Sequence, residues 1–315
     1  MRRLLFLAGV LALTACDAGA PVSHPDATMP TPTWAPAPSV APAGTTTPVP
    51  ERPTGVAIGP QIAAISEKSA FVLPEATRSA TAGPPRSIVA VAGGFRVVAG
   101  SAVQNLPGGP AWTLPAEGGA IAVPRDADWT AVALPARGDV IILSPTGATL
   151  RTIHTGGRPS ALAADKSRIA VVDASESSIT VFDAATGARQ EALRAGDGAV
   201  TVAAAGGGRF AVIDARDGEL LVFDTGPLIL RQRHPVPGGA WAAAYDAGRG
   251  VLWVTLTQRN EVVGFDLGGG APREAGRHPT VQLPLAVAVD PATGALAVAG
   301  SGGTGLQGLV QRIAA

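Results

Sequence analysis

A short apolar run ending in Phe-Asp returns at a nearly constant interval, and that interval governs what the chain can fold into. Ile179-Thr180-Val181-Phe182-Asp183 recurs as Leu220-Leu221-Val222-Phe223-Asp224 and as Val262-Val263-Gly264-Phe265-Asp266, with the aspartates 41 and 42 residues apart. Val140-Ile141-Ile142-Leu143-Ser144 holds the same place upstream, and Gly308-Leu309-Val310-Gln311 holds it downstream. Each repeat opens on a run of small residues: Ser160-Ala161-Leu162-Ala163, Val200-Thr201-Val202-Ala203, Ala240-Trp241-Ala242-Ala243 and Leu285-Ala286-Val287-Ala288. A further run lies between the two markers, as in Ile169-Ala170-Val171-Val172-Asp173 and Phe210-Ala211-Val212-Ile213-Asp214.

Short apolar runs separated by turn residues at roughly 8 to 12 residue spacing read as strands. Four such strands in about 40 residues, repeated, form the blade of a β-propeller. The expected fold is therefore all-β, a ring of four-stranded blades. First strands near residues 87, 120, 160, 200, 240 and 284 mark six blades. The leftover runs Gln61-Ile62-Ala63-Ala64-Ile65-Ser66 and Ala70-Phe71-Val72-Leu73 look like the second and third strands of another. Seven blades are expected, with six as the alternative, and residues 54–58 are the candidate for the strand that closes the ring. Phe182, Phe223 and Phe265 should be buried between neighbouring sheets.

The N-terminus has a different texture. Met1-Arg2-Arg3 precedes an unbroken apolar run from Leu4 to Leu13, ending in Leu13-Thr14-Ala15-Cys16. That run is too short to span a bilayer, which takes about 20 helical residues, and it has the form of a signal-peptide core. Leu-Thr-Ala-Cys resembles the bacterial lipobox, in which the cysteine is diacylated and becomes the first residue of the mature chain. Cys16 is the single cysteine. An unpaired thiol in an exported protein is otherwise a liability, and lipidation gives it a use. The expected organisation is a lipoprotein signal peptide over 1–15, lipidated Cys16 and a disordered Pro/Thr-rich tether over 16–53, and the propeller over 54–315. At about 3.1 Å per residue in polyproline II, such a tether would reach on the order of 100 Å. Asp17 resembles the signal for inner-membrane retention in Gram-negative bacteria.

These features place the mature chain outside the cytoplasm, anchored to the cell membrane, where nucleic acid and nucleotide cofactors are not expected partners. The charge balance of 24 basic against 24 acidic residues leaves no global field to attract a polyanion. No cofactor is expected, and the chain reads as a monomer.

Asp183-Ala184-Ala185-Thr186-Gly187 and Asp290-Pro291-Ala292-Thr293-Gly294 share an Asp-x-x-Thr-Gly pattern. It is similar to the turn of the YVTN/YncE family of extracytoplasmic propellers. The resemblance covers roughly residues 55–315 and implies a secreted or lipid-anchored, usually seven-bladed propeller, with no common catalytic activity.

No nucleophile elbow, zinc-protease helix or cysteine nucleophile is present, so no catalytic residue is assigned. Gly300-Ser301-Gly302-Gly303-Thr304-Gly305 matches a dinucleotide fingerprint in form, but the strand-like Leu306–Ile313 follows it where a helix would be needed. It reads as a loop between strands. His154, His234 and His278 precede first strands, yet different blades would hold them apart, so no metal is expected. The polar loops between second and third strands supply the candidate binding face: Asp173, Asp214, Arg216, Arg259 and Glu261. Their mixed charge suits an envelope protein or peptide. Replacing Asp173 or Asp214 is expected to be mild, with water substituting at a loop mouth. The functional expectation is a membrane-tethered binding or scaffold module. The alternative is an envelope hydrolase or oxidoreductase with an axial active site.

Overall fold

A computed structural model describes residues 29–125, 127–303 and 307–314. Cys16 and the other residues of the signal segment lie outside that set. Among the described residues there are 28 strands in seven four-stranded sheets. Blades 1 to 6 are residues 55–79, 85–113, 121–154, 159–194, 199–235 and 240–279, each an antiparallel meander in chain order. Blade 7 takes its first three strands from 282–313 and its outermost from Thr45–Val49. The seven-bladed propeller follows.

Ring closure differs from expectation. Gly55–Ile58 is the first strand of blade 1, and Thr45–Val49 does the closing, paired antiparallel to the last strand from Thr45↔Arg312 to Val49↔Gly308. Proline and threonine content had assigned these residues to the tether. Threonine is β-branched and suits a strand, and Pro48 lies on an edge strand, where a missing N–H costs no ladder bond. Residues before this strand also touch the ring. Ala35 is buried, its carbonyl accepts from Gln282 Nε2 at 2.8 Å, and the Pro36 carbonyl accepts from Asn260 Nδ2 at 2.8 Å. Gln311 Nε2 donates to the Ala43 carbonyl at 2.6 Å. Residues 30–43 thus form a strap over blades 5 to 7.

Alternation along each strand buries both faces of each sheet. Among the described residues seven apolar clusters form, each joining one blade to the next. Phe182, Phe223 and Phe265 are 2%, 0% and 4% exposed and each packs against the preceding blade, as the repeat predicts. The first strands present mostly alanine and valine to the axis, where seven blades converge.

The Asp-x-x-Thr-Gly turns close hairpins in blades 4 and 7. Asp183 Oδ1 accepts from Thr186 N at 2.7 Å and from its hydroxyl at 2.8 Å, while Gly187 takes φ +74°. Asp290 accepts from Ala292 N and the Thr293 hydroxyl at 3.0 and 2.7 Å. The bond to Thr186 N leads in lowering the Asp183 pKa. Burial alone would raise that of Asp290, but the Thr293 hydroxyl and the turn N–H groups outweigh it and the net shift is downward. Gly300 and Ser301 end strand Leu296–Ser301 and Gly302 and Gly303 follow it, while Thr304 and Gly305 lie outside the described residues.

Candidate functional site: two unlike faces of the ring

Antiparallel meanders send the blade-to-blade connections and the second-to-third-strand loops to one face, and the remaining hairpins to the other. All five candidate residues lie on the first face, in blades 4, 5 and 6. Asp173 is 8% exposed: Oδ2 accepts from Arg158 N at 2.5 Å, and Oδ1 from Ser175 N at 2.9 Å and Glu176 N at 3.3 Å. Asp214 is fully buried and repeats the arrangement, accepting from Asp197 N at 2.7 Å, Arg216 N at 3.0 Å and Asp217 N at 3.1 Å. Each carboxylate ties the incoming loop to the turn beside it. Both carboxylates are thus buried and bonded to their loops rather than solvated at a loop mouth, so their replacement is expected to cost more than that of an exposed turn acid.

Arg216 Nη1 lies 3.1 Å from Asp197 Oδ2, and together with Arg194 it lowers the Asp197 pKa. Glu261 accepts from Arg277 Nη1 at 2.5 Å. Arg259 lies over Gly238, close enough that a Cβ there would meet its Nε at 2.7 Å. Asp217 stands beside Asp214, whose charge raises its pKa. The strap crosses this same face. A Cβ on Gly198 would meet both Arg216 Cβ and Pro30 Cγ within 3 Å, so the strap begins beside one of the candidate residues.

The histidines lie on outermost strands of blades 3, 5 and 6, away from the axis. His154 Nδ1 is 2.6 Å from Asp139 Oδ1, His234 meets the Phe265 ring edge-on at 5.3 Å, and His278 lies 5.4 Å from Trp253.

Openings lie on both faces: on the strap face, loops of blades 3 and 4 line cavities of about 570 and 380 Å³, and the opposite face holds two that adjoin. An axial cavity of about 360 Å³ is walled by the ends of the first strands, with Asp165, Tyr245 and Arg125 among its polar side chains. Arg125 reaches from blade 3 to blade 6, donating Nη2 to the Tyr245 carbonyl at 3.3 Å across the mouth. A second cavity of about 660 Å³ lies beside it over blades 7, 1, 2 and 3, sharing Ile58, Ala90, Val123 and Arg125 with the axial one. Arg96, from the second strand of blade 2, lines this cavity. Sequence reasoning assigned neither arginine a role. The available signal is a charge inside an apolar strand, as in Phe95-Arg96-Val97-Val98. Arg168 and Arg209 follow the same habit, bonding the Thr225 hydroxyl and the Leu267 carbonyl of the next blade.

Solved structures share the ring. A chain of a mitotic checkpoint complex is similar at 12% identity and TM-score 0.70, covering 98% of this chain and 99% of that one. The β-propeller domain of Myceliophteria thermophila Cps50 (Swd1) is similar at 11% identity and TM-score 0.65, covering 84% and 99%. Kuenenia stuttgartiensis hydrazine synthase is similar at 13% identity and TM-score 0.65, covering 84% and 96%. At these identities the likeness is one of fold, which hosts unrelated functions. No protein-family profile and no curated protein matches the sequence.

Proposed function

We propose that the chain is an extracytoplasmic lipoprotein whose monomeric propeller is a binding or scaffold module in the bacterial cell envelope, held to the membrane through Cys16. The observation that carries the binding part is the pair of adjoining cavities, about 360 and 660 Å³, on the face opposite the strap. The Leu-Thr-Ala-Cys sequence and the YVTN/YncE-like turns support the anchored, extracytoplasmic part. A chain of the same fold is part of a mitotic checkpoint complex, which fits the binding part. The binding surface we favour is the open face, because Asp173 and Asp214 are engaged by their own loops and the strap occupies the face they are on.

The tether is shorter in this reading than composition alone suggests. Pro30 already touches the ring, so 14 residue steps separate it from Cys16. At roughly 3.3 to 3.6 Å per residue they span at most about 50 Å. The strap face is then the membrane-proximal one. Labelling with a radioactive fatty acid, followed by membrane fractionation, tests the anchor. Wild type should be labelled and sediment with membranes, and Cys16→Ser should lose the label. Label persisting in Cys16→Ser contradicts it.

A further inference from the structure

The cavity beside the channel mouth sets a fixed cation into an apolar wall. Ile58, Val91, Val123, Pro60, Pro124 and Pro291 supply much of that wall. Arg96 is positioned from three sides: Nη1 donates to Thr130 Oγ1, Nε lies 3.4 Å from Asn105 Oδ1, and the guanidinium lies 4.7 Å from the Trp112 ring centroid. None of these partners carries negative charge. Partial burial lowers the Arg96 pKa, with Asp128 acting in the opposite sense. Among the described residues no carboxylate comes within ion-pair distance of Arg96. Asp128 and Asp290 also border the cavity, as does Arg125; exposed Asp128 acts on Arg96 only through space, and the Asp290 oxygens accept from Ala292 N and the Thr293 hydroxyl of its own turn.

We propose that this cavity binds a small amphipathic carboxylate, its carboxylate on the Arg96 guanidinium and its aliphatic body along the apolar wall into the channel mouth. A guanidinium held over an indole keeps its fork pre-organised for a carboxylate at little further entropic cost. Such charge-assisted bonds gain strength where water is thinned. The volume of about 660 Å³ falls in the range of small-molecule sites. It continues into the axial cavity past Ile58, Ala90 and Val123, which leaves room for an extended chain. A bare inorganic anion would satisfy the arginine and leave the apolar wall wet, so an apolar body belongs to the ligand. This deepens the reading of the propeller as a binding module and rests on it, but not on the lipid anchor.

Equilibrium dialysis of the full-length chain in dodecyl maltoside against [14C]octanoate tests the site. Saturable binding at one site per chain is expected, displaced by unlabelled octanoate and not by octanamide. Arg96→Gln should weaken it by about tenfold or more, the loss of a charged hydrogen-bond partner. Arg96 also bridges two blades, so Ala90→Phe provides the second arm by filling the mouth while leaving Arg96 and its partners in place. A comparable loss is expected there. Non-saturable uptake, equal displacement by octanamide, or unchanged affinity in both variants would overturn the proposal. Failure of the anchor reading would instead appear as unlabelled Cys16 with octanoate binding intact.

Discussion

On the strap side of the ring, loops are tied from beneath: the fully buried Asp214 carboxylate accepts three backbone N–H groups drawn from two loops. On the open side, Asp183 remains partly exposed and accepts from a single residue of its own hairpin, through the N–H and hydroxyl of Thr186. The same residue type therefore does more than one job. Asp214 joins one blade's connection to the next blade, Asp183 finishes a turn, and on the open face buried Asp246 holds Arg249, which reaches Thr293 of the next blade. Around blades 5 to 7 the strap covers one face, whereas the two adjoining cavities of the other face stay accessible.

The inter-blade core sets the scale for any comparison of the two faces. Phe223→Ala, Phe182→Ala and Phe265→Ala should each cost about 3 to 5 kcal/mol, read as a shift in urea midpoint at constant slope. The three losses should be alike because the three environments repeat. Asp214→Ala comes next, at about 2 to 3 kcal/mol, since three backbone N–H groups lose one fully buried acceptor at once. Gln282→Ala removes one strap bond and should cost about 1 kcal/mol. Faster proteolysis within residues 30–43 would accompany it. Asp183→Ala should be the smallest, at most about 1 kcal/mol, because water replaces the lost partner. If Asp183→Ala costs as much as Asp214→Ala, the two faces are not distinct in the way described.

The open-face turns also carry a pH signature. The folded-state pKa of Asp290 lies below the ordinary carboxylate value, so the unfolded chain binds its proton first as pH falls. Its stabilising contribution is fully present above the unfolded value of about 4 and is lost as pH falls through the folded value. The stability difference between wild type and Asp290→Asn should therefore be larger at pH 7 than at pH 3. A constant difference across that range would remove the turn carboxylate as its source.

The ring was legible in the sequence because a blade must alternate small and large residues in register with its neighbours. Phe182, Phe223 and Phe265 betray that register, and the runs at 61–66 and 70–73 reveal blade 1. The closing strand was hidden because Thr45-Thr46-Thr47-Pro48-Val49 has the composition of a linker, and only pairing with Gly308–Ile313 makes it a strand. Asp173 and Asp214 read as exposed loop acids, since burial at a loop depends on which loop arrives from the next blade. Arg96 and Arg125 went unassigned because their cavity is assembled from blades 7, 1, 2 and 3, which no local motif records.

The proposed arrangement, strap side toward the membrane and open mouth away from it, can be tested with two labels in one blade. Glu176 and Ala185 are both exposed and lie in loops on opposite faces of blade 4. With Cys16 lipidated, Glu176→Cys and Ala185→Cys each offer a single free thiol for a donor fluorophore, in proteoliposomes containing a rhodamine-labelled lipid acceptor. Energy transfer to the membrane should be more efficient from position 176 than from position 185. Equal efficiencies, or the reverse order, would contradict the arrangement.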